Sequence, residues 1–129
     1  MVEDLIRAAR EIQSAAHAPY SDYRVGAALE TTAGDVYVGC NVENANFSNS
    51  LHAEEVAIGR AIADGERAFE QIAVSSSRRD GVTPCGMCRQ TLAEFCDDDF
   101  LIICDTGDGE STYTLGELLP APISEESLE

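Results

Sequence analysis

What most limits the folds open to this chain is a pair of short segments, Leu51-His52-Ala53-Glu54-Glu55 and Pro84-Cys85-Gly86-Met87-Cys88. One imidazole and two thiols make a three-donor set for Zn²⁺, so the fold must bring two distant stretches of chain together. Three protein donors leave a tetrahedral ion one open position, which is what separates catalytic from structural zinc. Glu54 lies two residues beyond the imidazole, placed to move protons rather than to bind metal.

The spacings carry local geometry. Cys85 and Cys88 are three apart, so on the first turn of a helix they face one way. The unpaired N–H groups and positive dipole end found there favour thiolates. His52 and Glu54 would point to opposite sides in mid-helix, but at a helix start both can reach forward. Two helix N-termini are therefore expected to meet around one ion. Taken alone, C-x-x-C also fits a thioredoxin-like redox pair or half of a structural site, for which Cys40 could be the fourth ligand. A redox pair leaves His52 and Glu54 without a purpose. Cys96 and Cys104 read as core thiols, and His17 as a surface or packing residue of the first helix.

Leu5, Ala8, Ala9, Ile12, Ala15 and Ala16 recur at helical spacing, which predicts an amphipathic helix over residues 3–17, stopped by Pro19. Alternation around Val25, Ala27 and Leu29 predicts a strand, turned by Ala33-Gly34-Asp35 into a second strand over 36–42. Ser48-Asn49-Ser50 offers N-caps for a helix over 51–63 with Leu51, Ile58 and Ile62 on its buried face. Ile72-Ala73-Val74 is a short strand, Cys85 opens a third helix that buries Leu92 and Phe95, and Phe100-Leu101-Ile102-Ile103 is a strand covered on both faces. Strand, helix and strand in that order predict a right-handed parallel crossover. A weak last strand over 111–114 and a short helix over 115–119 complete a mixed α/β sheet layered with helices.

The chain has 129 residues, enough for one core and one domain, 1–129. It has no run of 18 apolar residues, and Met1-Val2-Glu3-Asp4-Leu5 lacks the features of a signal peptide, so a cytoplasmic location is expected. Five cysteines in such a compartment argue for metal or core thiols rather than disulfides. Asp and Glu number 24 against eight basic residues, a net charge of −16, and every basic residue is arginine. Charge of that density without lysine points to a high-salt cytoplasm, where screening removes self-repulsion. It also argues against nucleic-acid partners, whose binding rests on basic side chains.

H-x-E followed by P-C-x-x-C is a signature of zinc-dependent nucleobase deaminases. The chain resembles the cytidine deaminases of the small, homotetrameric, zinc-dependent kind, over nearly its whole length. Ala18-Pro19-Tyr20-Ser21, Val25-Gly26-Ala27-Ala28-Leu29, Gly39-Cys40-Asn41-Val42-Glu43-Asn44-Ala45 and Pro84-Cys85-Gly86-Met87-Cys88-Arg89-Gln90 carry the resemblance. It implies a three-layer fold with a mixed five-stranded sheet and helices on both faces. It further implies hydrolytic deamination of cytidine and deoxycytidine to uridine and deoxyuridine with release of ammonia, a step of pyrimidine salvage. By that resemblance His52, Cys85 and Cys88 hold Zn²⁺ and Glu54 is the catalytic acid–base. Asn41 and Glu43 bind the ribose, Tyr23 packs near the base, and the Ala53 backbone holds the pyrimidine edge. The implied partners are a small nucleoside and further copies of the chain, with no nucleic acid and no membrane. Other readings are a deoxycytidylate, blasticidin-type or guanine deaminase, or a zinc-stabilised binding module without catalysis. Three positions depart from the small-tetramer pattern: His52 replaces a cysteine, Glu55 stands where arginine is common, and Ile123 stands where a phenylalanine often meets a neighbouring subunit's ligand.

Overall fold

The computed structural model describes residues 2–128. Helix α1 (Val2–Ile12) leads into a hairpin of β1 (Val25–Thr31) and β2 (Val36–Cys40). Then come α2 (Ala53–Ala63), β3 (Phe69–Ser76), α3 (Gly86–Phe95), β4 (Leu101–Asp105), β5 (Glu110–Thr114) and the short α4 (Leu115–Leu118). The five strands form one mixed sheet in the order β2-β1-β3-β4-β5. β3 and β4 pair in parallel across α3, as the strand–helix–strand pattern predicts, and the other neighbours are antiparallel.

Period-two alternation sorts the strands between two layers. Ala28, Ala73 and Ile103 point to one face, where Leu5, Ile6 and Ala9 of α1 cover them. Their sequence neighbours Ala27, Leu29, Ile72, Val74, Ile102 and Cys104 point to the other, against Ala53, Ala57, Ile58 and Ala61 of α2 and Leu92 of α3. The sheet therefore lies between two helical layers, and the two helices that open with the metal-binding motifs share one of them.

Two glycines set how closely the helices approach. A Cβ on Gly39 would collide with Ala53 O and Ala57 N, so a side chain there would lift the first turns of α2 off β2. A Cβ on Gly26 would do the same to α1 through Ala9 O.

Several local expectations change. The first helix ends at Ile12 and is followed by a 3-10 turn, Gln13–Ala15, rather than running to residue 17. His17 leaves the helix to form a parallel bridge with Val42. α2 is not capped by the Ser48–Ser50 segment; His52 itself is the N-cap, and Leu51 is exposed in an antiparallel bridge to Val42. β3 runs over Phe69–Ser76, longer than its apolar centre suggests, because pairing with β1 continues past that centre at both ends. Leu101 is not covered on both faces but partly exposed.

Candidate active site

The site is assembled by backbone pairing before any side chain contributes. Val42 N–H donates to Leu51 O at 2.9 Å and Leu51 N–H returns to Val42 O at 2.8 Å. On the other side His17 N–H donates to Asn41 O at 3.0 Å, and Glu43 N–H donates to His17 O at 2.7 Å. The Asn41–Glu43 segment is thus held between residue 17 and the start of α2. His17 contributes here through its backbone, which periodicity alone does not show.

At α2 the N-cap His52 has extended backbone, φ −89° and ψ 152°, and its N–H donates to Glu55 Oε1 at 2.6 Å. At α3 the N-cap is Cys85, whose carbonyl accepts the Arg89 N–H at 2.9 Å. The Arg89 guanidinium secures this end through Pro84 O at 2.7 Å, Leu118 O at 2.8 Å and Thr83 Oγ1 at 3.0 Å. Arg89 was not among the expected site residues; its position one residue after Cys88 was the available signal.

His52 Nδ1 lies 3.1 Å from Cys85 Sγ and 3.3 Å from Cys88 Sγ. All three donor atoms fall within 4.8 Å of one another. Tetrahedral zinc at usual bond lengths sets nitrogen and sulfur ligands roughly 3.5 Å apart, so one imidazole and two thiols at these separations fit that ion. Among the described residues the cluster closes at three donors, and Cys40, weighed as a fourth ligand, is not in it. Burial pushes the Cys88 thiol up, with further pushes from Glu54 and Cys85. A bound divalent cation inverts this, because a coordinating thiol is deprotonated outright. Burial also pushes Cys96 up to about 12 and Cys104 up to about 11, as suits core thiols.

Glu54 is 6 % exposed. Burial raises its pKa above the ordinary carboxylate value and Glu55 adds to the rise, while its own backbone N–H and His52 oppose it. A carboxyl placed beside the donor set in this way is positioned to accept a proton and return it.

A cavity of about 570 Å³ opens over these groups, within the range of small-molecule sites. Tyr23, Asn41, Glu43, His52, Ala53, Glu54 and Cys85 line it, whereas Cys88 lies behind the wall. Asn41 braces the cavity's edge: its Nδ2 donates to Tyr23 O at 2.8 Å and its Oδ1 accepts Val25 N–H at 2.9 Å. One amide hydrogen and one carbonyl lone pair remain for a ligand. Glu43 accepts the Tyr20 and Ser21 N–H groups at 3.0 and 3.1 Å and the Ser21 hydroxyl, contacts that outweigh desolvation and hold its carboxyl below the ordinary value. The Tyr23 hydroxyl donates to Asp80 at 3.1 Å, and Arg78 lies 5.2 Å from the ring centroid. The rim also holds Tyr20 and Phe47, packed edge to face at 5.8 Å. Phe47 was not expected; the signal was one aromatic residue inside the polar run Asn46-Phe47-Ser48-Asn49.

A three-donor site for a transition metal at two facing helix starts, with a buried carboxyl beside it in a cavity, defines a zinc-dependent enzyme of the hydrolase class. Residues 1–104 match the family described as the cytidine and deoxycytidylate deaminase zinc-binding region, and the chain belongs to that family. It is 41 % identical over 129 residues to a cytidine deaminase of Sporosarcina psychrophila, covering 98 % of this chain and 94 % of the relative. Identity to the cytidine deaminase of Halalkalibacterium halodurans is 37 %, covering 96 % and 95 %. In structure it is similar to cytidine deaminase from Burkholderia pseudomallei, with a TM-score of 0.91 at 36 % identity over 95 % of this chain and 99 % of that one. The cytidine deaminase from Mycobacterium tuberculosis aligns with a TM-score of 0.85 at 32 % identity, over 95 % and 97 %.

Proposed function

We propose that this chain hydrolyses cytidine and deoxycytidine to uridine and deoxyuridine with release of ammonia, residues 1–129 acting as one deaminase domain. The observation that carries this reading is the convergence of His52, Cys85 and Cys88 beside buried Glu54 in one cavity. When bound by His52, Cys85 and Cys88, zinc supplies the Lewis acidity that lets water ionise near neutral pH. Glu54 takes one proton from the attacking water and gives it to the pyrimidine N3, then takes the second from the resulting C4 hydroxyl and gives it to the amine, which departs as ammonia. Hydroxyl becomes bonded to C4, the C4–N bond breaks, and the ring keeps a carbonyl. The Ala53 backbone at the start of α2 holds the pyrimidine edge, and Tyr23 flanks the base.

Asn41 and Glu43 hold the ribose. An ionised Glu43, held so by Ser21 and two backbone N–H groups, accepts hydroxyl hydrogen bonds and repels phosphate. That supports a free nucleoside over a nucleotide or polynucleotide. The working form is a cytoplasmic homotetramer serving pyrimidine salvage. Gln90 clamps the Ile123 backbone at 2.9 and 3.3 Å while Ile123 stays 66 % exposed, which supports a role for Ile123 against a neighbouring subunit. A net charge of −16 supports a halophilic source, with thermal stability rising as potassium chloride is added. No helix among the described residues is long and apolar enough to cross a membrane.

The test is ammonia release from a panel of nucleosides and nucleotides, with zinc measured in the same preparations. Turnover of cytidine and deoxycytidine, with zinc and activity both lost in Cys88→Ser, is the expected result. A metal-free protein fully active on cytidine overturns the reading.

A further inference from the structure

Glu55 is the residue of the H-A-E-E segment that the chemistry above leaves unused. Its carboxylate accepts the His52 N–H at 2.6 Å, across the first turn of α2. The oxygen of the same peptide unit, Leu51 O, accepts Val42 N–H at 2.9 Å. The Leu51–His52 peptide plane is therefore held at its carbonyl by the strand bridge and at its N–H by Glu55. That plane, together with the His52 φ of −89°, sets the direction of the Cα–Cβ bond. The Cβ in turn carries the imidazole to within 3.1 and 3.3 Å of the two sulfurs.

We propose that Glu55 is a positioning residue for the metal centre: by holding the His52 backbone N–H it aims the imidazole at the point where Cys85 and Cys88 converge. The inference rests on the metal-site reading and concerns what holds one of its donors in place. Glu55 belongs to no cluster of metal donors among the described residues, so it acts through His52. Hydrogen-bonded supports behind a metal's ligands change affinity by about 10–100-fold when removed.

The molecule contains its own control. α4 opens with the same arrangement, Thr114 N–H donating to Glu117 Oε1 at 2.8 Å and Glu117 N–H to Thr114 Oγ1 at 3.2 Å. That N-cap carries no metal donor. If Glu55 did no more than stabilise a helix end, removing either glutamate would have the same kind of consequence. Charge alone gives a different pattern again, since Gln and Ala at position 55 would then be equivalent.

The experiment measures zinc affinity by competition with a chromophoric chelator, and the visible spectrum of the cobalt(II)-substituted protein, for the parent, Glu55→Ala, Glu55→Gln, Glu55→Asp, Glu117→Ala and Cys88→Ser. Glu55→Ala is expected to weaken zinc binding by about 10–100-fold and to shift the cobalt bands that report ligand geometry. Glu55→Gln, which still presents an acceptor at the same reach, is expected to stay close to the parent. Glu55→Asp keeps the charge, falls one methylene short and should side with alanine, which preserves the test if Glu55→Ala does not fold. Glu117→Ala should leave zinc affinity unchanged. Parent-like affinity and spectrum in Glu55→Ala and Glu55→Asp, or an equal loss in Glu117→Ala, overturns the proposal. Parent-like zinc affinity in Cys88→Ser overturns instead the metal-site reading beneath it.

Discussion

Two buried carboxyl groups lie on opposite faces of the sheet, and their surroundings push them in opposite directions. Glu54, on the side of α2 and α3, is 6 % exposed and raised in pKa by burial. Asp105 ends β4 on the side of α1, is 1 % exposed, and is held well below the ordinary value. Burial dominates at Glu54, whereas partners dominate at Asp105. Arg10 meets Asp105 through Nε and Nη2, both at 2.7 Å, Ser75 adds a hydroxyl at 2.7 Å and Gly107 an N–H at 2.9 Å. Gln13 supports Ser75 in turn at 2.6 Å. Asp105 thereby ties α1 to β3 and β4, whereas Glu54 faces a cavity and keeps its proton-binding capacity for a ligand. A buried acid fixed by a charge partner is committed to the fold; one that faces a cavity beside a metal-donor set is free to exchange protons.

Exchanging the charge at each place should separate the two roles. The largest effect belongs to Glu54→Gln, which should lower deamination by about 10²–10⁴-fold while zinc content and fold persist. Steady-state ammonia release, with zinc assayed on the same sample, measures it. Retained turnover would remove Glu54 from the mechanism and erase the contrast with Asp105.

Next in size, Asp105→Asn should reduce unfolding free energy by about 1.5–3 kcal/mol, read from denaturant titration, because the hydrogen bonds that the buried carboxylate accepts from Ser75, Gly107 and partly exposed Arg10 lose their charge. Nucleoside turnover below the new melting temperature should stay near the parent's. The same variant tests the pH dependence. A carboxyl with a depressed folded pKa lends stability that is complete above its ordinary value of 3.8 and is lost as pH falls below it. The parent should therefore lose stability over that acid range more steeply than Asp105→Asn. Parallel acid curves would show that the pair contributes nothing through ionisation.

The smallest effect has the opposite sign. In metal-free protein near neutral pH, Glu54→Gln should be more stable than the parent by about 1 kcal/mol, since the amide buries no charge. A raised folded pKa weakens the fold above the ordinary value of 4.5, so the two stability curves should converge below it. Thermal melts of chelator-treated protein across that range would show whether the gap closes.

Sequence alone determined the candidate donor set and the layering. An imidazole and two thiols at helix starts specify a metal chemistry by their atoms, and alternation in β1, β3 and β4 says which residues share a face of the sheet. Those signals are local, because side-chain direction follows from helical and strand periods of a few residues. Tertiary structure decided what the neighbours of those residues do. His17 was drawn from the expected helix into a bridge with Val42, because the Asn41–Glu43 segment needed a backbone partner. Asn41 spends two of its hydrogen-bonding sites bracing Tyr23 and Val25, and Glu55 holds the N–H of His52. Arg10 finds Asp105 across 95 positions of chain, which no local pattern encodes. A hydrogen bond is chosen by distance in space, and only the folded chain sets that distance.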